Sequence, residues 1–384
     1  MLESMSRSLS EVLALLERLA PLKLAEEWDN VGLLLEPSHA ATRPIQRLFL
    51  CIDLSESVLD EAIVAEAQLV LAYHPPIFRG HKRLRSSHAE ERVLVRALEA
   101  GLAVYSPHTA LDAAHGGVND WLARAFGPGR STPLTPHQEA PAELKLVVFV
   151  PRSHVDELRV ALSREAGAGS IGNYSECSYE LEGHGTFFGN EGSSPQLGTA
   201  GQLEHVNEVR LEMRCDGAHV ADLARVIAEH HPYEEPAWDL YPLLATPRAV
   251  VGAVGAGRLL VLDTPLSLLD AAARLKRHLG LETLRVASSG AHDAGTPITR
   301  IAVCAGAGGS LFEKVQGADL FVTGEMRHHD VLAKVRAGSS VLLSEHTHTE
   351  RGFLPELARN IEALAEGRIK ALVSQKDADP LRTV

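Results

Sequence analysis

Short apolar runs alternate with helical segments over the first 130 residues, and this alternation is the tightest constraint on what the chain can fold into. Arg47 to Leu54 (RLFLCIDL) is an apolar strand, and Ser55 to Glu66 opens on a serine with an acidic first turn, as a helix does. Leu69 to Ala72 is a second strand, closed by His74-Pro75-Pro76. Glu90 to Glu99 is a helix stopped by Gly101, and Leu102 to Ser106 a third strand. That order predicts a parallel sheet covered by helices. In such sheets chemistry collects at the C-terminal ends of the strands. Before the sheet, Leu9, Val12, Leu13, Leu15, Leu16 and Leu19 recur at helical spacing, with Ser8 or Ser10 as the cap. Glu11, Glu17 and Arg18 interrupt this stretch, which therefore lacks the uncharged core of a signal peptide.

The rhythm then breaks. Residues 127–142 (GPGRSTPLTPHQEAPA) hold four prolines and two glycines, and a linker is expected over 131–143. Beyond it come a strand (Leu144 to Val150), a helix (Ser153 to Ala166), polar-alternating strands including Asn207 to Cys215, a helix (Asp216 to His230) and a strand (Ala237 to Tyr241). This β–α–β–β–α–β order is that of a ferredoxin-like α+β domain over 144–245. Near Thr246-Pro247 it ends, and from Ala249 the α/β alternation resumes with strands Ile301 to Cys304, Leu320 to Thr323 and Val341 to Ser344. The expected fold class is therefore α/β: a discontinuous domain of residues 1–130 and 246–384, interrupted by an inserted ferredoxin-like domain.

Charge narrows the function. Lys and Arg total 37 against 50 Asp and Glu, a net −13, which argues against general nucleic-acid binding. No run of 18 uncharged apolar residues is present, so no membrane span is expected. Cys51, Cys177, Cys215 and Cys304 form no C-x-x-C pair and read as reduced thiols of a cytoplasmic protein. No P-loop motif occurs. Histidine is abundant, 19 in 384 residues, and it is both the commonest metal ligand and the usual acid–base near neutral pH.

Several histidines fall at strand ends. His74 precedes two prolines; Ser106 to Asp120 offers His108, Asp112 and Asn119; Thr323-Gly324-Glu325 leads to His328, His329 and Asp330; Ser344 to Glu350 contains His346 and Glu350 four residues apart, on one face if the turn is helical. Each cluster alone also reads as turn or capping chemistry. Together, imidazoles and carboxylates suit divalent zinc, iron or manganese, and Asp112 and Glu350 are the available bridges between two such ions. Glu325 and His329 are the candidates for proton transfer. Gly306-Ala307-Gly308-Gly309-Ser310 is either a tight turn or an anion cradle; Leu311 stands where the dinucleotide fingerprint needs its last glycine. The basic stretch Arg79 to Arg85 is either a solvated loop or a rim attracting an acidic substrate.

Specific stretches carry a family resemblance: Ala25 to Leu33 (AEEWDNVGL), Tyr73 to Phe78 (YHPPIF), His108 to Ala114 (HTALDAA), His231 to Ala237 (HPYEEPA), Thr323-Gly324-Glu325 with His329-Asp330, and His346 with Glu350. The chain resembles the GTP cyclohydrolase I type 2 homolog family, the Nif-three-like dinuclear metal centre proteins, over nearly its whole length. The resemblance implies a two-lobed α/β fold with a two-metal site between the lobes, a PII/CutA-like insert and a toroidal homohexamer. It implies His74, Asp112, His346 and Glu350 as ligands of one or two divalent ions. Where many members carry a histidine pair, this chain has Tyr73 before His74. A tyrosine, with an ordinary pKa of about 10, is a poor ligand, so either the second ion is weakened or lost or His108 substitutes. The function so implied is hydrolysis of a small phosphorylated or nucleotide-like substrate, with a non-catalytic metal-binding regulator or interaction scaffold as the alternative. His231 to Pro236 is either a helix stop or the lining of an entrance or oligomer contact.

Overall fold

The computed structural model describes residues 6–137, 143–171, 174–193, 195–243 and 254–381. These fall into two compact units, one built from the residues up to His137 with those from 254 onward, the other from those between 143 and 243. The change of rhythm near Thr246-Pro247 lies outside the described residues.

The first unit holds two sheets. In the five-stranded sheet the order is Gly32–Leu35, Ala103–Ser106, Leu69–Ala72, Arg47–Cys51 and Lys370–Val373. The last four strands run parallel, as the strand–helix alternation requires, and Gly32–Leu35 joins antiparallel at the edge. Unbroken apolar runs form these strands because both faces of the sheet are covered. Alternate residues then part: Leu48, Leu50, Leu69 and Leu71 enter one core, while Phe49, Cys51, Val70 and Ala72 enter another.

The six-stranded sheet has the order Arg285–Ala287, Ser340–Leu343, Leu320–Thr323, Ile298–Val303, Arg258–Leu266 and Gly129–Thr132. Its Ser340–Leu343, Leu320–Thr323 and Ile298–Val303 strands are parallel and the outer pairings antiparallel. Ile301, Val303, Leu320, Val322 and Leu342 pack into the same core as Leu48 and Leu69, so the two sheets share one hydrophobic layer. Helix Leu9–Leu19 adds Leu9, Val12, Leu15 and Leu16 to it, and starts on a Ser8–Glu11 capping box. Gly129–Thr132 and Thr135–Pro136 are strands inside the stretch expected to be a linker. Their partners, Arg258–Leu266 and Gly255–Ala256, lie far along the chain, and the exposed Gly129–Thr132 has no apolar pattern to announce it.

The second unit follows the expected element order: Glu143–Pro151, helix Val155–Ala166, Ser178–Phe188, Leu203–Asp216, helix Val220–His230 and Trp238–Pro242. The antiparallel sheet is ordered Trp238–Pro242, Glu143–Pro151, Leu203–Asp216, Ser178–Phe188. Both helices bury Leu158, Leu162, Leu223 and Ile227 on one face of the sheet, against Leu146, Val148, Val150, Val209, Leu211 and Met213. The helices start two and four residues later than the expected Ser153 and Asp216, after 3-10 turns at Arg152–His154 and Gly217–His219.

Candidate metal centre

The C-terminal ends of the parallel strands in the first unit supply the polar cluster. Strand Leu69–Ala72 runs into Tyr73 and His74, whose amides continue the ladder by donating to Cys51 and Ile52 carbonyls. Pro75 has no N–H and ends it. Tyr73 turns into the apolar core, 1% exposed, and His74 turns the other way towards the polar cluster. In the second sheet, Ser340–Leu343 leads into a turn in which Glu345 takes a positive φ of 67°, and helix His348–Arg351 follows. His108, at the start of helix His108–Ala113, also has a positive φ, 27°. Strained backbone of this kind concentrates at functional sites.

His74, His346 and Glu350 converge, with one donor atom from each lying within 4.8 Å of the others. The two carboxylate oxygens of Glu350 are divided between the imidazoles: Oε2 lies 3.4 Å from His74 Nε2, and Oε1 lies 3.5 Å from His346 Nε2. Each imidazole is gripped at its other nitrogen. Asp53 Oδ1 lies 2.9 Å from His74 Nδ1, and Glu325 Oε1 lies 2.5 Å from His346 Nδ1. The same arrangement recurs at His108, where Asp29 Oδ1 lies 2.8 Å from Nδ1 and the ring centroid is 5.4 Å from that of His74. Asp29 is itself held by the Thr109 amide and hydroxyl. A carboxylate on Nδ1 sets the tautomer and leaves Nε2 as a ligand atom.

The donor set fits a divalent cation. Glu350 is buried, and among the described residues its Oε2 makes no well-formed hydrogen bond, facing only His74 Nε2 at 3.4 Å, which is costly unless a positive charge stands there. The Gly-rich turn closes on the group: a Cβ on Gly306 would stand 2.9 Å from both Glu350 Oε1 and His346 Nε2, and its φ is +63°. This turn therefore works as a close-packed wall of the cluster rather than as an anion cradle. Thr349 Oγ1 accepts from the Gly306 amide, and Thr323 Oγ1 accepts from that of Gly308 while donating to the Gly306 carbonyl.

Protonation follows the same geometry. Burial would lower the pKa of His74, but the Asp53 and Glu350 carboxylates that face its two ring nitrogens outweigh it and raise it to about 10. Burial pushes Asp112 up to about 6, with its Tyr73 hydrogen bond and His108 opposing the rise. Burial first, then the charges of Asp112 and Glu350, hold the Tyr73 phenol well above its ordinary value. Tyr73 is therefore a neutral donor: its hydroxyl bonds to Asp112 Oδ1.

Asp112 and His108 thus stand beside the His74–His346–Glu350 group rather than within it, Asp112 with one oxygen taken by Tyr73 and His108 bound to Asp29. Asn119 ties this side of the cluster to the other sheet, donating to the Asp112 carbonyl and accepting from the Ala305 amide at 2.8 Å. Glu325 is present, but as the group holding His346. His328 and His329 are exposed and contact each other's rings, 5.4 Å apart, and among the described residues no hydrogen bond or ion pair joins His329 to the cluster. His348 Nδ1 is taken by the Ser344 carbonyl. Asp53 and Gly306 carry roles that sequence spacing did not assign. The signal for Asp53 was its place two residues beyond the buried strand Arg47–Cys51.

Two clefts flank the cluster. One, about 540 Å³, is lined by Asp53, His74, Phe78, Arg79, His81 and Glu90. The other, about 420 Å³, is lined by Ser310, Glu313, Glu325, Arg327 and Asp330.

Comparison with known proteins places this geometry among relatives. The family model described as Duf34/NIF3 (NGG1p interacting factor 3) matches residues 7–380. NIF3-like protein 1 of Rattus norvegicus is 37% identical over 387 residues, covering 99% of this chain and 95% of the relative. A GTP cyclohydrolase 1 type 2 homolog of Halalkalibacterium halodurans is 39% identical over 320 residues, covering 83% of this chain and 82% of the relative. Among solved structures, a Bacillus cereus protein related to NIF3 is 31% identical with a TM-score of 0.68, and 99% of each chain is covered.

Proposed function

The chain belongs to the Duf34/NIF3 family, and from that premise we propose that it is a metal-dependent hydrolase of a small phosphorylated or nucleotide-like substrate. The observation that carries the reading is the buried Glu350 carboxylate, whose two oxygens face the Nε2 atoms of two imidazoles, each oriented at Nδ1 by its own carboxylate. In this reading His74, His346 and Glu350 hold a divalent zinc, iron or manganese ion. Asp112 and His108 complete the set where a second ion binds. Such an ion supplies Lewis-acid polarisation and a water of lowered pKa. The protein's own residues do the rest. Asp53, Asp29 and Glu325 fix the imidazoles, and Tyr73 holds Asp112. Glu325 holds His346 through Oε1 only and lines the cleft shared with Arg327 and Asp330, so in this reading its other oxygen is the first candidate for proton transfer and the exposed His329 the second.

The substrate class rests on the cleft beside His74. Arg79 offers a cation and His81 a hydrogen-bonding ring nitrogen for an anionic group at its rim, with Asp53 and Glu90 also in the lining. Next to it stand two exposed aromatics in contact, Trp28 at 60% and Phe78 at 48% exposure, their centroids 6.0 Å apart. Trp28 lies 6.1 Å from the His108 ring, so a planar base stacked there would sit beside the metal group. A relative is described as a GTP cyclohydrolase 1 type 2 homolog, and GTP is one member of that class.

The second reading, a non-catalytic regulator or interaction scaffold, is favoured by the exposed apolar residues of the inserted unit, among them Tyr179, Leu181, Phe188, Leu203 and Tyr241. We assign that unit to the ferredoxin-like, PII/CutA type on its strand–helix order, and its exposed apolar surface to contacts within a cytoplasmic homohexamer. Metal analysis and a nucleotide-hydrolysis panel on wild type and Glu350→Gln decide between the readings. Hydrolase function requires bound metal and turnover in the wild type and the loss of both in the variant. Metal binding without turnover selects the scaffold.

A further inference from the structure

The His231-Pro232-Tyr233-Glu234-Glu235-Pro236 stretch is not part of the metal group, and the inserted unit shows what it builds. The sheet of this unit is covered by helices on one face only. Val209, Leu211 and Met213 point to the helices, so by the two-residue period Val206, Glu208 and Arg210 point to the bare face. The register places Gly185 opposite Val206, and Phe149 opposite Arg210. On this bare face lies a cavity of about 290 Å³, roofed by residues 193 and 195–197 and by the turn at 233–235.

His231 locks that turn. It is buried, its Nε2 lies 2.9 Å from the Phe149 carbonyl, and its Nδ1 accepts from the Tyr233 amide at 3.0 Å. A neutral imidazole protonated on Nε2 satisfies both bonds. Burial holds the His231 pKa below its ordinary value and keeps it neutral. Tyr233 is thereby swung against Phe187, with centroids 6.3 Å apart. Its hydroxyl is buried beside the Glu208 carboxylate; burial and then that charge raise its pKa, and it makes no well-formed hydrogen bond among the described residues. Glu208 lies across Gly185, where a Cβ would meet its Oε2 at 2.1 Å. Glycine in a strand commonly marks such a close approach.

The lining is chemically one-sided. Among the described residues it presents Phe187 and Tyr233, the carboxylates of Glu208, Glu234 and Glu235, and Phe149, whose ring centroid already has the Arg210 guanidinium 5.9 Å away; no Lys, Arg or His lines the cavity itself. Aromatic faces attract cations, and carboxylates in a partly desolvated pocket do so more strongly. The volume is near the lower end for small-molecule sites. We propose that this cavity is a binding site for a small organic ammonium ion, with its charge between Glu208 and the aromatic faces and an N–H donated to the Tyr233 hydroxyl. The site is separate from the metal reading and stands or falls independently of it.

The test uses the full-length protein and a panel of alkyl- and arylammonium ions, each paired with the neutral alcohol of the same skeleton, in calorimetry and ligand-observed NMR. At least one ammonium should bind at least about tenfold more tightly than its alcohol. Glu208→Gln should erase that preference, and Tyr233→Phe, which keeps the ring, should weaken it. Metal content should not change in either variant. Equal binding of ions and alcohols, unaltered preference in Glu208→Gln, or no binding across the panel at millimolar concentration overturns the proposal. So does a change of oligomeric state in Glu208→Gln without a change in ion binding.

Discussion

Replacing Gly306 by alanine tests the link between the glycine turn and the metal group. The new methyl would stand 2.9 Å from Glu350 Oε1 and from His346 Nε2, about half an ångström inside ordinary contact. Glu350 is 3% exposed and has little room to retreat, and His346 is pinned by Glu325. The two ligand atoms must therefore spread, and displacements of this kind typically cost about 10–100-fold in metal affinity. The left-handed backbone adds about 1–2 kcal/mol of strain for any residue with a Cβ. Gly317 separates the two effects: its φ is +69°, close to that of Gly306, but nothing lies within 4 Å of its Cβ position. Gly317→Ala should lower the melting temperature by the strain alone, about 2–4 °C per kcal/mol, with unchanged metal affinity. Gly306→Ala should show the same strain plus the loss of affinity, measured by competition with a chromophoric chelator. Because a ligand stabilises in proportion to the logarithm of its occupancy, added metal should raise the melting temperature of Gly317→Ala much more than that of Gly306→Ala. If the two variants bind metal equally well, the Gly306 turn does not shape the site and the argument fails.

Other outcomes follow from single contacts. Asp53→Asn should keep the His74 ring in place but weaken its hold as a ligand, lowering metal affinity about tenfold; unchanged affinity would mean that the Asp53–His74 bond is only structural. Arg258, 2% exposed, donates to Asp120 and to the carbonyls of Gly255, Gly257, Ala113 and Ala114. Arg258→Met should therefore cost about 3–5 kcal/mol in urea unfolding by removing the charge partner of Asp120, which keeps the Gly116 amide on Oδ2 as its hydrogen-bond donor, and the donor to several buried carbonyls, and a loss under 1 kcal/mol would contradict that. The pKa of His231 is depressed by burial, so its contribution to stability is present above the unfolded value of about 6.5 and is lost as pH falls through the lower folded value. Protonating Nδ1 also removes the acceptor for the Tyr233 amide, so hydrogen exchange at that amide should accelerate, relative to its intrinsic rate, as pH falls through the depressed folded value of His231. Protection that stays constant down to the onset of acid unfolding would exclude the latch.

The elements best read from sequence were those whose cause is local. Leu9–Leu19 was visible in its leucine spacing and its Ser8 cap, and Leu69–Ala72 in an apolar run with proline after it. The element order of the inserted unit was equally readable, because each strand and helix there has its own periodicity. Gly129–Thr132 was not, since an exposed four-residue strand exists only because Arg258–Leu266 offers it a ladder. Arg258–Leu266 itself is partly exposed along its length and hides for a related reason.

At the site, residue types nominated imidazoles and carboxylates at four strand ends, and the family resemblance picked His74, Asp112, His346 and Glu350 from them; three of those four converge, and Asp112 stands beside them. Spacing could not say that Glu325 would be spent on holding His346, that Tyr73 would turn inward to Asp112, or that His329 would stay outside. Those outcomes depend on which side of a strand each residue leaves from and on what the second sheet brings opposite it. The sequence by itself determined the alternation that forces parallel strands, and with it the edge at which chemistry gathers. Only the tertiary structure decided which members of that edge meet. The meeting groups come from two sheets joined through one shared core, and no local pattern encodes the distance between residues 74 and 350.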